Sequence, residues 1–257
     1  MTERYFVPAG AARIAVVAEG EGVPLVLLPS SSRDSEDFAV VAAALGARGF
    51  RVLRPQPRGI MGSEGPLTGI TQHDFAADVA AVIRHANRGP AIVLGHAYGN
   101  WVARTVAADF PDLVRGVVLA AASARASAPA LGAALNQAMD AGLPEAVRLA
   151  ALRLAFFAPG HDPAGWLEGW HPGVTAAQRA ATAAAPRAEW WTAGRAPVLD
   201  VQAAADPWRP PGTENDFRQD LGAGRVTVVV IPEASHALFP EQPAALVDAV
   251  AGWARRL

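Results

Sequence analysis

Residues 91–100 read AIVLGHAYGN, and this stretch decides the fold. Residues 91–95 form a short apolar run, as expected of a strand buried in a parallel sheet. A helical pattern follows, running to about Phe110, where Pro111 stops it. Between strand and helix lies Gly95-His96-Ala97-Tyr98-Gly99, a Gly-X-Z-X-Gly frame. So tight a turn strains the backbone at Z and crowds the neighbouring chains, which calls for small residues on either side. It also pushes residue Z out at the head of the helix, where the helix dipole stabilises an anion.

Working outward, short β-rich runs alternate with helical patterns. Residues 11–18 (AARIAVVA) read as a strand, followed by a turn at Glu19-Gly20-Glu21-Gly22. Residues 24–28 (PLVLL) read as a buried strand, residues 35–48 as an Ala-rich helix ended by Gly49, and residues 51–54 as the next strand. Thr71-Gln72-His73-Asp74 resembles a capping box, and Phe75, Val79, Val82 and Ile83 behind it share one helical face. Residues 116–122, 197–202 and 225–231 are further strands. Leu246, Val247, Val250, Trp253 and Leu257 make the apolar face of a closing helix, whose Arg255 and Arg256 suit the negative end of its dipole. The alternation predicts an α/β fold with a mostly parallel central sheet flanked by helices. Residues 124–194 break it. They are helical in pattern and carry Phe156, Phe157, Trp166, Trp170, Trp190 and Trp191. This predicts a helical insertion over the C-terminal edge of the sheet, where open α/β sheets bind ligands.

Composition removes several chemistries. The 257 residues include no Cys and no Lys; all 22 basic residues are Arg, against 24 acids, for a net charge of −2. No disulfide, thiolate nucleophile, Cys zinc site, Schiff base or phosphate-binding Lys is available. The balanced charge and absence of a basic run argue against nucleic acid as a partner. No apolar run approaches membrane-span length, and the start lacks the pattern of a signal peptide, so the expectation is a cytoplasmic protein without a membrane partner. His73, His85, His161 and His171 form no tight cluster with acids, and neither a metal nor a cofactor is expected.

Asp206 lies just beyond the strand at 197–202, and His236 follows the strand at 225–231. With the elbow between strand and helix, this order resembles the α/β-hydrolase superfamily over essentially the whole chain. The loop Arg58-Gly59-Ile60-Met61-Gly62-Ser63 is also similar to that family's Arg-Gly-X-Gly-X-Ser block, with Met61 replacing a glycine. The resemblance implies a core of residues 1–124 and 195–257, a helical cap over residues 125–194, His236 as general base and Asp206 as the acid that orients it. It implies an oxyanion hole made by the backbone N–H groups of Ser31 and Tyr98. The family's usual His-Gly after the strand at 24–28 is replaced by Pro29-Ser30-Ser31-Ser32. Ser30, His96, Trp166 and Trp170 are expected to contact a small, partly apolar substrate.

The nucleophile position itself is Ala97, whose methyl group can neither attack a carbonyl nor be deprotonated. Either the alanine is natural or it replaces a serine. The natural case is supported by similarity to a Gly-His-Ala-aromatic-Gly-Asn pattern in some bacterial relatives. A natural alanine implies non-covalent chemistry, with a His236–Asp206 dyad activating water or removing a substrate proton in isomerisation or carbon–carbon cleavage. A replaced serine implies an esterase or lactonase without its nucleophile. A third reading is a pseudo-hydrolase that only binds a small ligand; its mark would be loss of the His–Asp pair, which is present.

Overall fold

The computed structural model describes residues 2–125 and 128–257. Strand β1 (Glu3–Ala9) pairs antiparallel with β2 (Ala12–Glu19). Next come β3 (Val23–Leu28), a 3-10 turn over Ser35–Phe38, α1 (Ala39–Ala47), β4 (Phe50–Pro55), α2 (Gln72–Ala86), β5 (Ala91–His96), α3 (Tyr98–Asp109) and β6 (Val114–Ala120). Four helices follow with no strand between them: α4 (Pro129–Met139), α5 (Glu145–Ala155), α6 (Thr175–Ala183) and α7 (Arg187–Trp190). The chain then returns through β7 (Val198–Ala203), α8 (Asp216–Leu221), β8 (Val226–Ile231), α9 (Leu238–Glu241) and α10 (Pro243–Ala254). Positions 126 and 127, inside the expected 125–194 insertion, lie outside the described residues, as does Met1.

The eight strands form one sheet in the order β1-β2-β4-β3-β5-β6-β7-β8. Pairing is antiparallel across β1, β2 and β4 and parallel from β4 to β8. Side chains alternate across the sheet, so the unbroken apolar run of β3 serves two cores. Leu25 and Leu27 pack with Phe38, Val41 and Leu45 and with Leu246, Val250 and Trp253 of α10. Val26 and Leu28 face the other way, onto Phe75, Val79 and Ile83 of α2 and Val102 and Val106 of α3.

Local signals act as their chemistry requires. The Asp74 carboxylate accepts from the Thr71 N–H at 2.8 Å, closing the capping box at the start of α2. Gly49 follows α1 with φ +88°, which suits a residue without a Cβ. Two expectations change. The sheet begins with β1, a strand absent from the sequence reading; it is an edge strand with mostly exposed side chains, so its apolar signal is weak. The helix expected from residue 35 opens as a 3-10 turn, capped by Asp34, whose side chain accepts from the Glu36 N–H at 2.8 Å. No helix among the described residues is long and apolar enough to cross a membrane.

Candidate active site

The parallel strands end together at one edge, and the loops leaving β3, β5, β7 and β8 meet there. Ala97 is the single residue between β5 and α3, with φ 46° and ψ −113°. Holding a non-glycine residue there costs of order 1–3 kcal/mol. A Cβ on Gly95 would stand 2.1 Å from the Gly99 carbonyl oxygen, and one on Gly99 2.4 Å from that of Leu28. Both glycines of the frame are thus steric requirements of a helix driven against β3. The Ala97 N–H donates to the Ala120 carbonyl at 3.2 Å, and the Ala97 carbonyl accepts from both the backbone and the side-chain amide of Asn100. Asn100 therefore holds the turn instead of simply filling space.

His236 leaves β8 on a short loop. Its Nδ1 lies 3.1 and 3.0 Å from the two carboxylate oxygens of Asp206, and both residues are buried. An ionised carboxylate only accepts, so Nδ1 carries the proton and Nε2 is left as the acceptor. The Trp208 N–H donates to Asp206 Oδ1 at 2.9 Å and fixes the carboxylate from behind.

The His236 loop is tied on every side. Ala237 N–H donates to the Phe156 carbonyl at 2.8 Å, and Ser235 Oγ donates to the Ala205 carbonyl at 3.1 Å. Glu241 accepts from the Ser235 and Ala158 N–H groups, each at 2.6 Å. Burial raises the Glu241 pKa, opposed by these two hydrogen bonds. His96 Nε2 donates to the His236 carbonyl at 2.7 Å. Burial, and then the neighbouring His236, lowers the His96 pKa well below its ordinary value, so His96 is a neutral donor.

On the opposite flank, the loop after β3 is held by the helical segment. Gln178 Oε1 accepts from Ser31 Oγ at 2.8 Å and from the Ser32 N–H at 3.0 Å, and the hydroxyls of Ser32 and Thr175 lie 2.5 Å apart. The His171 N–H donates to the Ser32 carbonyl at 2.8 Å. Ser32 sits at φ 62°. Among the described residues the Ser31 N–H has no acceptor. The Tyr98 N–H opens α3 and so has no partner inside the helix. Burial raises the pKa of the Tyr98 phenol and keeps it neutral.

A cavity of about 230 Å³ lies against Ala97, lined by Ser30, Ser31, Tyr98, His236, the apolar side chains of Trp101, Leu135, Phe156 and Trp208, and by Ser123 and Arg179. Asp206 stands behind His236. Three expected substrate contacts change. His96 is fully buried, and Trp166 packs edge-on against it at 6.3 Å. Trp170 lines a separate cleft. Trp166 and Trp170 each lie 4.6 Å from the Arg33 guanidinium, so they brace the loop after β3 and do not line the cavity. The sequence reading missed Trp101 and Trp208 as cavity walls. Trp101 follows Ala97 by one helical turn, and Trp208 follows Asp206 by two residues.

Comparison with known proteins places this arrangement. The sequence is 35% identical over 112 residues to 2-(acetamidomethylene)succinate hydrolase of Mesorhizobium japonicum, a match covering 44% of this chain and 40% of that protein. It is 37% identical over 102 residues to a soluble epoxide hydrolase of Corynebacterium, covering 40% of this chain and 35% of that protein. The chain thus matches roughly two fifths or less of the length of these curated relatives. A thermophilic esterase from Thermogutta terrifontis superposes with a TM-score of 0.81 at 22% identity, over 99% of this chain and 98% of that one, and so shares the fold. The sequence profile of the alpha/beta hydrolase family matches residues 25–249, from β3 into α10 and across every loop of the cavity, and the chain belongs to that family.

Proposed function

We propose that this chain is a hydrolase of small, partly apolar carbonyl substrates, with water as the nucleophile and no covalent serine intermediate. One observation carries the reading: the nucleophile position is a methyl group, while a dyad and two free backbone donors remain around the same cavity. His236 Nε2 takes a proton from water as its oxygen bonds to the substrate carbonyl carbon. The Ser31 and Tyr98 N–H groups receive the charge that develops on the carbonyl oxygen. Collapse of the tetrahedral adduct breaks the bond to the leaving group, which takes the proton back from the His236 imidazolium. Asp206 keeps the proton on Nδ1 throughout and stabilises the cation. Residues 125–194 act as the cap: Leu135 and Phe156 close the apolar wall, and Gln178 shapes the acceptor loop. The names of the relatives, a succinate-derivative hydrolase and an epoxide hydrolase, support opening of a bond by water.

The test is a panel of aryl esters and lactones assayed with the protein and with His236→Ala, alongside a serine-directed fluorophosphonate. Turnover that falls by about 10²–10⁴ in His236→Ala, with no covalent labelling of the parent protein, is the expected result. Labelling of any serine, or unchanged turnover in His236→Ala, refutes it.

A second reading is a serine hydrolase whose nucleophile has been replaced by alanine. It is favoured by Ala97 keeping a strained conformation on the lining of the cavity, where a hydroxyl would share the cavity with the same base. Under it, Ala97→Ser gains fluorophosphonate labelling and ester turnover together. An Ala97→Ser protein that neither labels nor turns over esters removes it.

A further inference from the structure

We infer that Arg179 makes the cavity selective for substrates bearing a carboxylate at the end remote from the scissile bond. The inference rests on the hydrolytic reading of this cavity and names its substrate class. The cavity wall is largely apolar and aromatic, and its other polar side chains are the hydroxyls of Ser30, Ser31 and Ser123 together with His236, the Tyr98 hydroxyl being buried. Arg179 is the one permanently charged side chain on the wall among the described residues. Its single side-chain hydrogen bond among those residues goes to a neutral group, the Asn136 amide oxygen, at 3.2 Å. The Asp206 carboxylate is already engaged by His236 and the Trp208 N–H. A guanidinium at the rim of an apolar cavity, its charge unmatched by protein, is a fork for two carboxylate oxygens.

The placement of Arg179 is defined by its neighbour. Gln178 is fastened to Ser31 and Ser32, so α6 is registered against the acceptor loop, and Arg179, one residue on, is an exposed residue on the lining of the same cavity. A substrate seated with its reacting carbonyl at Ser31 and Tyr98 and its apolar body against Trp101, Phe156 and Trp208 carries its free end toward the rim. An anionic end gains a charge-assisted pair there, and a neutral end does not.

Calorimetric titration with phenylacetate and phenylacetamide tests this without any need for turnover. A failure of hydrolysis therefore leaves the binding result readable, and a failure of carboxylate preference leaves the hydrolytic reading standing. Phenylacetate should bind about tenfold or more tightly than the amide, the size of one charge-assisted pair. The ratio should fall toward one in Arg179→Gln, survive in part in Arg179→Lys, and shrink as salt is raised. Arg179 is exposed on α6, so its variants should keep the fold, which circular dichroism checks. Phenylacetate that fails to bind, binds no better than the amide, or keeps its advantage in Arg179→Gln overturns the inference.

Discussion

The two flanks of Ala97 are built differently. On the base side, His236 and Asp206 sit on loops of the sheet and are locked by buried contacts: His96 on the His236 carbonyl, Glu241 on two backbone N–H groups, and Trp208 on the Asp206 carboxylate. On the acceptor side, Ser31 is anchored by Gln178, and its neighbour Ser32 by Gln178 and Thr175, residues of the helical segment between β6 and β7. The His236 loop is thus held by the core together with the residues that follow α5, through the Phe156 carbonyl and the Ala158 N–H, whereas the loop after β3 takes its side-chain anchors from α6. Under the proposed function, a change in α6 should therefore alter how well the oxyanion is met and leave His236, which α6 does not anchor, intact.

The largest effect that tests this contrast is chemical. Asp206→Asn keeps the shape but offers an amide that can donate to Nδ1, which favours the wrong tautomer of His236. The rate constant kcat is expected to fall by about 10²–10⁴-fold with the fold unchanged, read by steady-state kinetics and circular dichroism. Glu241→Ala comes next. It leaves the Ser235 and Ala158 N–H groups buried without acceptors, at about 1–3 kcal/mol each, and urea unfolding should show a loss of that order.

Stability should also depend on pH through His96. Its folded pKa is depressed, so below about pH 6.5 the unfolded chain takes up a proton that the folded chain refuses. The stability it contributes is present above that pH and is lost as pH falls, by at most about 1.4 kcal/mol per pH unit. Urea midpoints at pH 7 and pH 5 measure the slope, and His96→Gln should flatten it. The smallest effect is Gln178→Ala, which removes one anchor of the acceptor loop and should lower kcat about fivefold, the equivalent of about 1 kcal/mol. If Gln178→Ala costs as much rate as Asp206→Asn, the two flanks are not distinct.

Much of the fold was legible because its signals are local. The strand-to-helix step at residues 91–110, the capping box at Thr71 and the apolar run of β3 each follow from short-range sterics or burial. Asp206 and His236 were legible from their places after β7 and β8, and the structure brings their side chains within 3.0 Å of each other. The rest depends on which way a side chain points across long stretches of chain. His96 lies next to Ala97, yet successive residues project differently, and it ends beneath the His236 loop. Trp166 and Trp170 read as a substrate wall because they are large and apolar. Their partner, Arg33, is more than 130 positions away in the chain, and no spacing rule connects them. Arg179 carries no local signal that sets it apart from other arginines; it reaches the cavity only because α6 packs on the Ser31–Ser32 loop.

The elbow has a consequence for heredity. Every alanine codon becomes a serine codon by exchange of its first base, G for T. A chain that keeps the strained turn, both glycines and a poised dyad around Ala97 therefore stands one point mutation from presenting a hydroxyl to a ready base. Under the proposed function, that one exchange would offer a covalent nucleophile to a site that otherwise uses water.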